Sequence, residues 1–89
     1  MSTVSIRGKL LEDKKAEFYL TIETIKNLIE KNCQEFKYKI GEDNDLVITI
    51  NFSSEENLKN FDNFEFSILK GSIRYLCKDV EIDTHIKME

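Results

Sequence analysis

Residues 46–61 of the chain, LVITINFSSEENLKNF, predict a β-strand that runs directly into a helix. Every second residue of the first half is apolar, which places one apolar row on one face of a sheet. That row consists of Leu46, Ile48, Ile50 and Phe52. Ser53 and Glu56 have the spacing of a capping box, in which a hydroxyl and a carboxylate satisfy backbone N–H groups at a helix start. The stretch defines architecture and carries no catalytic motif.

The size and charge of the chain limit the classes of function. The chain has 89 residues, a net charge of −4 and 40% hydrophobic residues, which predicts a single domain over residues 1–89. Its 13 Lys and Arg residues are scattered. Nucleic acids and acidic membranes are therefore disfavoured as partners, because phosphate binding needs a basic patch. No leader pattern and no apolar run of about 18 residues is present, so we expect a cytoplasmic protein.

The first third of the chain predicts a strand and an amphipathic helix. Residues 3–11 alternate, and Gly8 among the apolar positions suggests a bulge or a close backbone approach. Asp13 is expected to cap a helix of about five turns over 14–33. The apolar stripe of this helix consists of Phe18, Ile22, Ile25 and Ile29.

The remaining strands follow from the same alternation. Residues 35–40 predict a second strand with Phe36, Tyr38 and Ile40 facing inward. A polar turn over 41–45 joins this strand to the opening one as a hairpin. Residues 79–88 alternate for ten positions and predict the fourth strand.

Residues 64–77 are ambiguous. FEFSIL alternates like a strand that could pair back beyond Gly71, whereas Phe66, Leu69, Ile73 and Leu76 recur at helical spacing. The helix avoids a long structureless loop and gives the order β-α-β-β-α-α-β. That order predicts an α+β ferredoxin-like fold, with helices on one face of a four-stranded antiparallel sheet. The hairpin would instead give six strands.

Several local patterns resemble the antibiotic biosynthesis monooxygenase (ABM-like) domain of the dimeric α/β-barrel superfamily. They are the charged run over 13–17 before Phe18, Cys33 ahead of a strand containing Tyr38, Phe52 followed by Ser54 and Leu58, and the aromatic pair Phe64 and Phe66. The resemblance covers nearly the whole chain. It implies a homodimer in which two sheets close a barrel. It also implies a monooxygenase that needs no metal or other cofactor and acts on a small aromatic or quinone-like compound.

The resemblance also implies an apolar ligand pocket between helices and sheet. The candidate lining residues are Phe18, Ile22, Tyr38, Phe52, Phe61 and Phe66. Family members commonly have an acid in place of Ile50, Trp in place of Phe52 and His in place of Phe61, so no catalytic residue is carried over. The alternative is that these side chains simply fill the core. The chain would then be a non-catalytic homodimeric module that binds a small hydrophobic ligand or acts as a scaffold.

Other titratable residues offer weaker candidates. His85 shares a face with Glu81 and Asp83, as a general base or metal ligand would, but the preferred interpretation is a strand histidine on a polar face or at a subunit interface. Cys33 and Cys77 lack zinc-site spacing and are expected to be buried, reduced thiols. The outward sheet face is predicted to carry Arg7, Lys37, Lys39, Thr49, Asn51, Asp83 and His85. In a dimer formed through this face, either opposite charges pair across the interface or the barrel is wet and loosely packed.

Overall fold

The computed structural model describes residues 2–31, 33–53, 56, 59 and 64–86. Within them the chain has four strands and two α-helices, which are β1 (Ser2–Leu10), α1 (Lys15–Ile29), β2 (Glu35–Ile40), β3 (Asp45–Phe52), α2 (Phe64–Leu76) and β4 (Cys77–Ile86). The strands form one antiparallel sheet in the order β2-β3-β1-β4. Both helices lie on one face of this sheet, which confirms the predicted α+β ferredoxin-like fold.

The core lies between the sheet and the helices. The apolar rows of β1 and β3 are in register, since Val4 pairs with Ile50 and Ile6 pairs with Ile48, and all four side chains are buried. The stripe of α1 covers this row, as its 3.6-residue period requires. The stripe residues Phe18, Ile22, Ile25 and Ile29 are all buried. Alternation in the strands and helical spacing in α1 therefore specify the same core.

The ambiguous segment is a helix. Phe66, Leu69, Ile73 and Leu76 are buried on one side of α2, whereas Gly71 is exposed on the other. The helical period prevails because it buries all four of these side chains against one core. The capping-box helix predicted after Ser53 is not described as an element: only Glu56 and Lys59 between residues 54 and 63 are described, and both are helical.

Element ends differ from the predictions. Asp13 does not cap α1; it lies in a 3₁₀ turn over Glu12–Lys14, and the position before α1 is Lys14, with no side-chain cap bond. That turn is closed by backbone, because the Lys14 N–H donates to the Leu11 carbonyl over 2.9 Å. α1 ends four residues before Cys33, since the chain must reverse to reach β2. Strand β1 covers 2–10 instead of 3–11, and β4 covers 77–86 instead of 79–88.

A β-bulge interrupts the pairing of β1 with β4. Arg7 pairs with Glu81 but Lys9 pairs with Lys78, so β4 has one more residue than β1 across this interval. Asp79 lies within the bulge and adopts a left-handed backbone conformation, with a φ of 54°. Gly8 lies opposite the bulge, which confirms the close approach predicted at this glycine. A Cβ atom there would meet Cys77, Val80 and the Lys78 carbonyl at 3.2–3.4 Å.

The β2–β3 connection is the predicted polar hairpin turn. Asp43 and Asn44 adopt left-handed backbone with φ of 56° and 63°, which Asp and Asn tolerate better than most residues. The Asn44 side-chain amide donates a hydrogen bond of 2.7 Å to the Glu12 carboxylate, tying the turn to the start of the helical layer. Among the described residues, neither helix has the length and apolar character needed to cross a lipid bilayer.

Candidate functional site

Five of the six predicted pocket residues come together between sheet and helices. Phe18 and Ile22 project from α1, Tyr38 from β2, Phe52 from the end of β3 and Phe66 from α2, and all five belong to the core or pack against it. The sixth, Phe61, lies outside the described residues. The sequence thus identifies side chains that converge on one region of the molecule.

These side chains are packed closely. Phe18 and Phe52 are 0% exposed and Ile22 is 1% exposed. A space beside them able to admit a water molecule would leave measurable exposed surface, so these three side chains meet protein atoms on all sides. In the described arrangement they therefore act as core residues. Binding of a ligand by this set stays a prediction.

Tyr38 is the one polar side chain of the set. It is half-buried at the edge of the core because β2 is an edge strand, and its ring meets Phe18 edge-to-face with centroids 5.5 Å apart. The geometry leaves the apolar body of Tyr38 inside and part of its surface accessible. It is the point of this cluster that a small molecule could reach first.

The two thiols are poor nucleophiles. Burial raises the pKa of the Cys77 thiol to about 11. Burial, followed by the nearby Glu30 charge, raises the pKa of Cys33 as well. The thiolate is the reactive form of cysteine, so both side chains stay protonated near neutral pH. Cys77 is buried as expected, whereas Cys33 is only half-buried, and both are free.

No metal-binding cluster is found among the side chains that the structure describes: no three His, Cys, Asp or Glu side chains lie close enough to hold an ion. In β4, the backbone of His85 pairs with that of Thr3 in β1. Its side chain lies outside the description, so its role as a base or ligand stays a prediction.

Half-buried Lys14 and exposed Tyr75 connect the turn before α1 to the end of α2. Lys14 donates a hydrogen bond of 2.7 Å from Nζ to the Tyr75 hydroxyl and lies 3.5 Å from the Glu17 carboxylate. The bond with Tyr75 is the main cause that raises the pKa of Lys14. Tyr75 is exposed and Lys14 is half-buried at the surface, so the bond connects the turn before α1 to α2.

The sheet face away from the helices, hereafter the open face, is organised in cross-strand rows. In one row Lys37, Thr49, Ser5 and Asp83 follow each other across the four strands, and in the next Lys39, Val47, Arg7 and Glu81 do so. Each row begins with lysine on β2 and ends with an acid on β4. Over these two rows the open face has a basic edge and an acidic edge, whereas Glu35 begins the neighbouring row on β2.

The row at the start of β1 is joined by hydrogen bonds. The Thr3 hydroxyl donates to Asn51 Oδ1 over 2.9 Å, and Asn51 Nδ2 donates to Glu35 Oε1 over 3.0 Å. These bonds fix three strands relative to each other at the polar surface. Lys37 lies 3.6 Å from the same Glu35 carboxylate in an exposed pair of small energetic value.

A depression of about 470 Å³ lies at the other end of the open face. Its lining consists of Arg7, Gly8, Lys9, Asp45, Leu46, Val47 and Asp79. Sequence reasoning does not find it, because it forms at the bulge, where β4 departs from strict alternation. The available signal is Gly8, whose position predicts a close approach without identifying the opposite residues.

Solved structures provide the comparison with known proteins. No family model matches the sequence, and no curated protein matches it either. An antibiotic biosynthesis monooxygenase superimposes with a TM-score of 0.79 at 9% identity, over 100% of both chains. A Deinococcus radiodurans protein provisionally assigned to the same class gives 0.82 at 10% identity, over 100% of this chain and 94% of that one.

A third similar structure belongs to a protein of unknown function. A Bacteroides thetaiotaomicron protein of unknown function superimposes with a TM-score of 0.75 at 12% identity, over 94% of each chain. Together these structures confirm the resemblance at the level of fold: the chain has the fold of ABM-domain proteins. At such identities a shared fold carries no substrate or activity with it.

Proposed function

We propose that this chain is a homodimeric, non-catalytic module of the ABM fold, which pairs through the open face of its sheet. The charge arrangement of that face is the observation that carries the proposal. Lys39, Arg7, Glu81 and Asp83 have no ion-pair partner within the described part of the chain. A second copy can supply those partners.

The order of charges selects one mode of pairing. If two open faces stack about a two-fold axis parallel to the strands, β2 of one copy lies over β4 of the other and each row faces itself. Lys37 then faces Asp83 of the partner subunit, and Lys39 faces Glu81 of the partner subunit. An axis perpendicular to the strands would instead put lysine over lysine. The centre of each row is uncharged except for Arg7, which lowers the cost of desolvation.

The core supports a module without oxygenase chemistry. Ile50 and Phe52 occupy positions where the resemblance implies an acid and an indole, and both are fully buried apolar side chains. The neighbouring Phe18 is equally enclosed. These residues fill the space in which a substrate would have to lie, as the alternative reading of the aromatic set predicts.

The test is a mass measurement by light scattering at micromolar concentration, together with an oxygen-consumption assay. The proposal expects a mass of about 21 kDa, twice that of the 10.5 kDa chain, and no oxygen uptake with naphthol- or anthrone-type phenols. A mass of one chain contradicts the dimer. Turnover that depends on the phenol contradicts the absence of catalysis.

Tyr38 supports a second candidate, a cofactor-independent monooxygenase acting on a small aromatic or quinone-like compound. Its half-buried ring against Phe18 would offer a flat substrate an apolar contact and one hydroxyl. Under this candidate oxygen uptake appears with such compounds and falls in Tyr38→Phe. The exposed Tyr75→Phe serves as the control and leaves uptake unchanged. Equal uptake in the two variants rules out a role for Tyr38.

A further inference from the structure

We propose that the dimer is strengthened at mildly acidic pH, because the row position of His85 lies opposite Glu35 of the partner subunit. This inference rests on the proposed dimer and adds a pH dependence to it. The observation that carries it is a third cross-strand row of the open face, which consists of Glu35, Asn51, Thr3 and His85. Here the acid stands on β2 and the basic residue on β4, the reverse of the order in the two neighbouring rows.

The two-fold axis of the proposed dimer brings the two ends of this row together. An axis parallel to the strands makes each row face itself, so Glu35 lies opposite His85 of the partner subunit and the contact occurs twice. Stacked sheets lie about 10 Å apart, a gap that two facing side chains bridge. Lys37 and Lys39 lie opposite acids in the same geometry. The reversed sign at Glu35 is therefore matched by a reversed sign at the opposite edge once the histidine is protonated.

Contacts within its own chain orient the Glu35 carboxylate on the open face. Glu35 Oε1 accepts a hydrogen bond of 3.0 Å from Asn51 Nδ2 and lies 3.6 Å from Lys37 Nζ. Asn51 is itself fixed, since its Oδ1 accepts a bond of 2.9 Å from the Thr3 hydroxyl. The Glu35 side chain is 54% exposed in the single chain. The carboxylate can therefore accept a further cationic partner from a second copy.

The charges near His85 in its own chain act alike in the monomer and the dimer. β4 is an edge strand, and the β1 residue paired with His85 is the uncharged Thr3. Along β4 the same face carries Asp83 two residues away, which favours the protonated imidazole in both states. From the partner subunit, Glu35 is directly opposite and Lys37 stands one row further. The nearer charge is negative, so dimerisation favours protonation.

The sign of the pH dependence follows from linkage. Histidine ordinarily titrates at about pH 6.5, and a facing carboxylate raises the pKa of an imidazole. A pKa that is higher in the dimer adds affinity fully below its monomer value, and this affinity is lost as pH rises through the dimer value. If each contact contributes about threefold, the two symmetric contacts lower the dissociation constant about tenfold between pH 8 and pH 5.5.

The test is sedimentation equilibrium of the full chain at pH 5.5 and pH 8, at one ionic strength. We expect the wild-type dissociation constant to be about tenfold lower at pH 5.5. His85→Gln should lose this dependence. His85→Lys stays charged at both pH values, so its dissociation constant at pH 8 should be within about twofold of that of the wild type at pH 5.5. A wild-type constant that does not fall at pH 5.5, or a dependence retained in His85→Gln, overturns the inference.

An NMR titration of the imidazole measures the contact without dissociating the dimer. His85 is the single histidine of the sequence, so its ring signal is assigned directly. Within one chain Glu35 and His85 stand on opposite edges of the sheet, about 14 Å apart over three strand spacings, which exceeds the screening length of about 8–10 Å. Glu35→Gln should therefore lower the pKa of His85 only if a second subunit brings the two residues together.

Glu23→Gln is the matched control, because it removes one carboxylate from the exposed side of α1. It should leave the pKa of His85 unchanged, and an equal pKa in wild type and Glu35→Gln contradicts the contact. The two proposals fail in different ways. A dimer with the same dissociation constant at both pH values contradicts only the pH dependence. A single-chain mass at both pH values contradicts the dimer and this inference with it.

Discussion

A Cβ atom on Gly8 would lie 3.2 Å from the Cβ atom of Cys77, at the point where β1 passes the bulge of β4. The contact explains why this strand position lacks a side chain. It also links the depression on the open face to the core, because Cys77 itself is buried on the helix side.

We therefore expect Gly8→Ala to destabilise the protein. The added methyl group would lie 3.2 Å from the Cys77 Cβ atom, 3.3 Å from Val80 Cγ2 and 3.4 Å from the Lys78 carbonyl oxygen. One or more of these atoms must move to accommodate it. Crowding of this kind costs about 1–3 kcal/mol in the free energy of unfolding. Urea denaturation followed by circular dichroism should show a lower midpoint with an unchanged slope.

Gly71→Ala is the matched control. Gly71 lies inside α2 with ordinary backbone and no atom within 4 Å of an added Cβ. Alanine there should raise stability by about 0.5–1 kcal/mol, since glycine loses more backbone entropy in a helix. If both substitutions change the midpoint in the same direction, the crowding at Gly8 is not the cause.

Phe18 should behave as a core residue. It is fully enclosed, and its ring meets Tyr19 and Tyr38 edge-to-face with centroids 5.5 Å away in each case. Phe18→Ala should lower the free energy of unfolding by about 3–5 kcal/mol. Denaturant midpoints measured against wild type check this loss.

Leu20 supplies the comparison on the same helix. Its side chain is 77% exposed, and Leu20→Ala should change stability by less than about 0.5 kcal/mol. A small loss at Phe18, close to that at Leu20, would mean that the ring borders free space. That result would favour the pocket interpretation of the aromatic set over a filled core.

The sequence predicts the fold well where a segment fits only one period, either that of a strand or that of a helix. Alternation defines β2 at its true bounds, and helical spacing identifies the buried stripe of α1. Phe66 and Ile73 show the limit, because the same residues fit a hairpin until the core they bury is known. Asp13 shows another limit: the backbone bond from Lys14 to Leu11 closes that turn without a side-chain cap.

The candidate sites were predictable to different degrees. Phe18 and Tyr38 are correctly brought together, since both belong to inward rows. The depression at Arg7 depends on a register shift between two strands that are far apart in sequence. No local pattern encodes such a shift, because it is determined by how Gly8 and Asp79 pass each other in three dimensions.

The Cys77 thiol should make stability depend on alkaline pH. Burial raises its pKa from 9.0 to about 11, so the folded chain holds the proton more firmly than the unfolded chain. The stabilisation is fully present below pH 9 and is lost as pH rises from 9 to about 11. On raising the pH, Cys77→Ala should therefore lose about 1–3 kcal/mol less of its free energy of unfolding than the wild type does.

Urea midpoints at pH 8 and pH 10.5 for both proteins check this prediction. Lysine and tyrosine ionisation affects both proteins alike, so the difference between them isolates the thiol. Identical alkaline losses in the two proteins would show that Cys77 is not the group responsible. A thiol-alkylation rate near neutral pH well below that of the unfolded chain would agree with the raised pKa.

The proposed dimer predicts a charge-reversal cycle between Lys39 and Glu81. Each of Lys39→Glu and Glu81→Lys should raise the dimer dissociation constant about tenfold, because like charges then face each other across the two-fold axis. The double variant restores opposite charges and should recover most of the affinity. Sedimentation equilibrium at low ionic strength and at about 1 M salt measures the effect and its screening.

Lys31→Glu is the control for net charge. Lys31 is exposed just beyond the end of α1, on the helix side of the sheet, and its reversal alters the total charge equally. It should leave the dissociation constant within about twofold. If it weakens the dimer as much as Lys39→Glu, the effect arises from overall repulsion. If the double variant is weaker than either single one, Lys39 does not face Glu81 of the partner subunit.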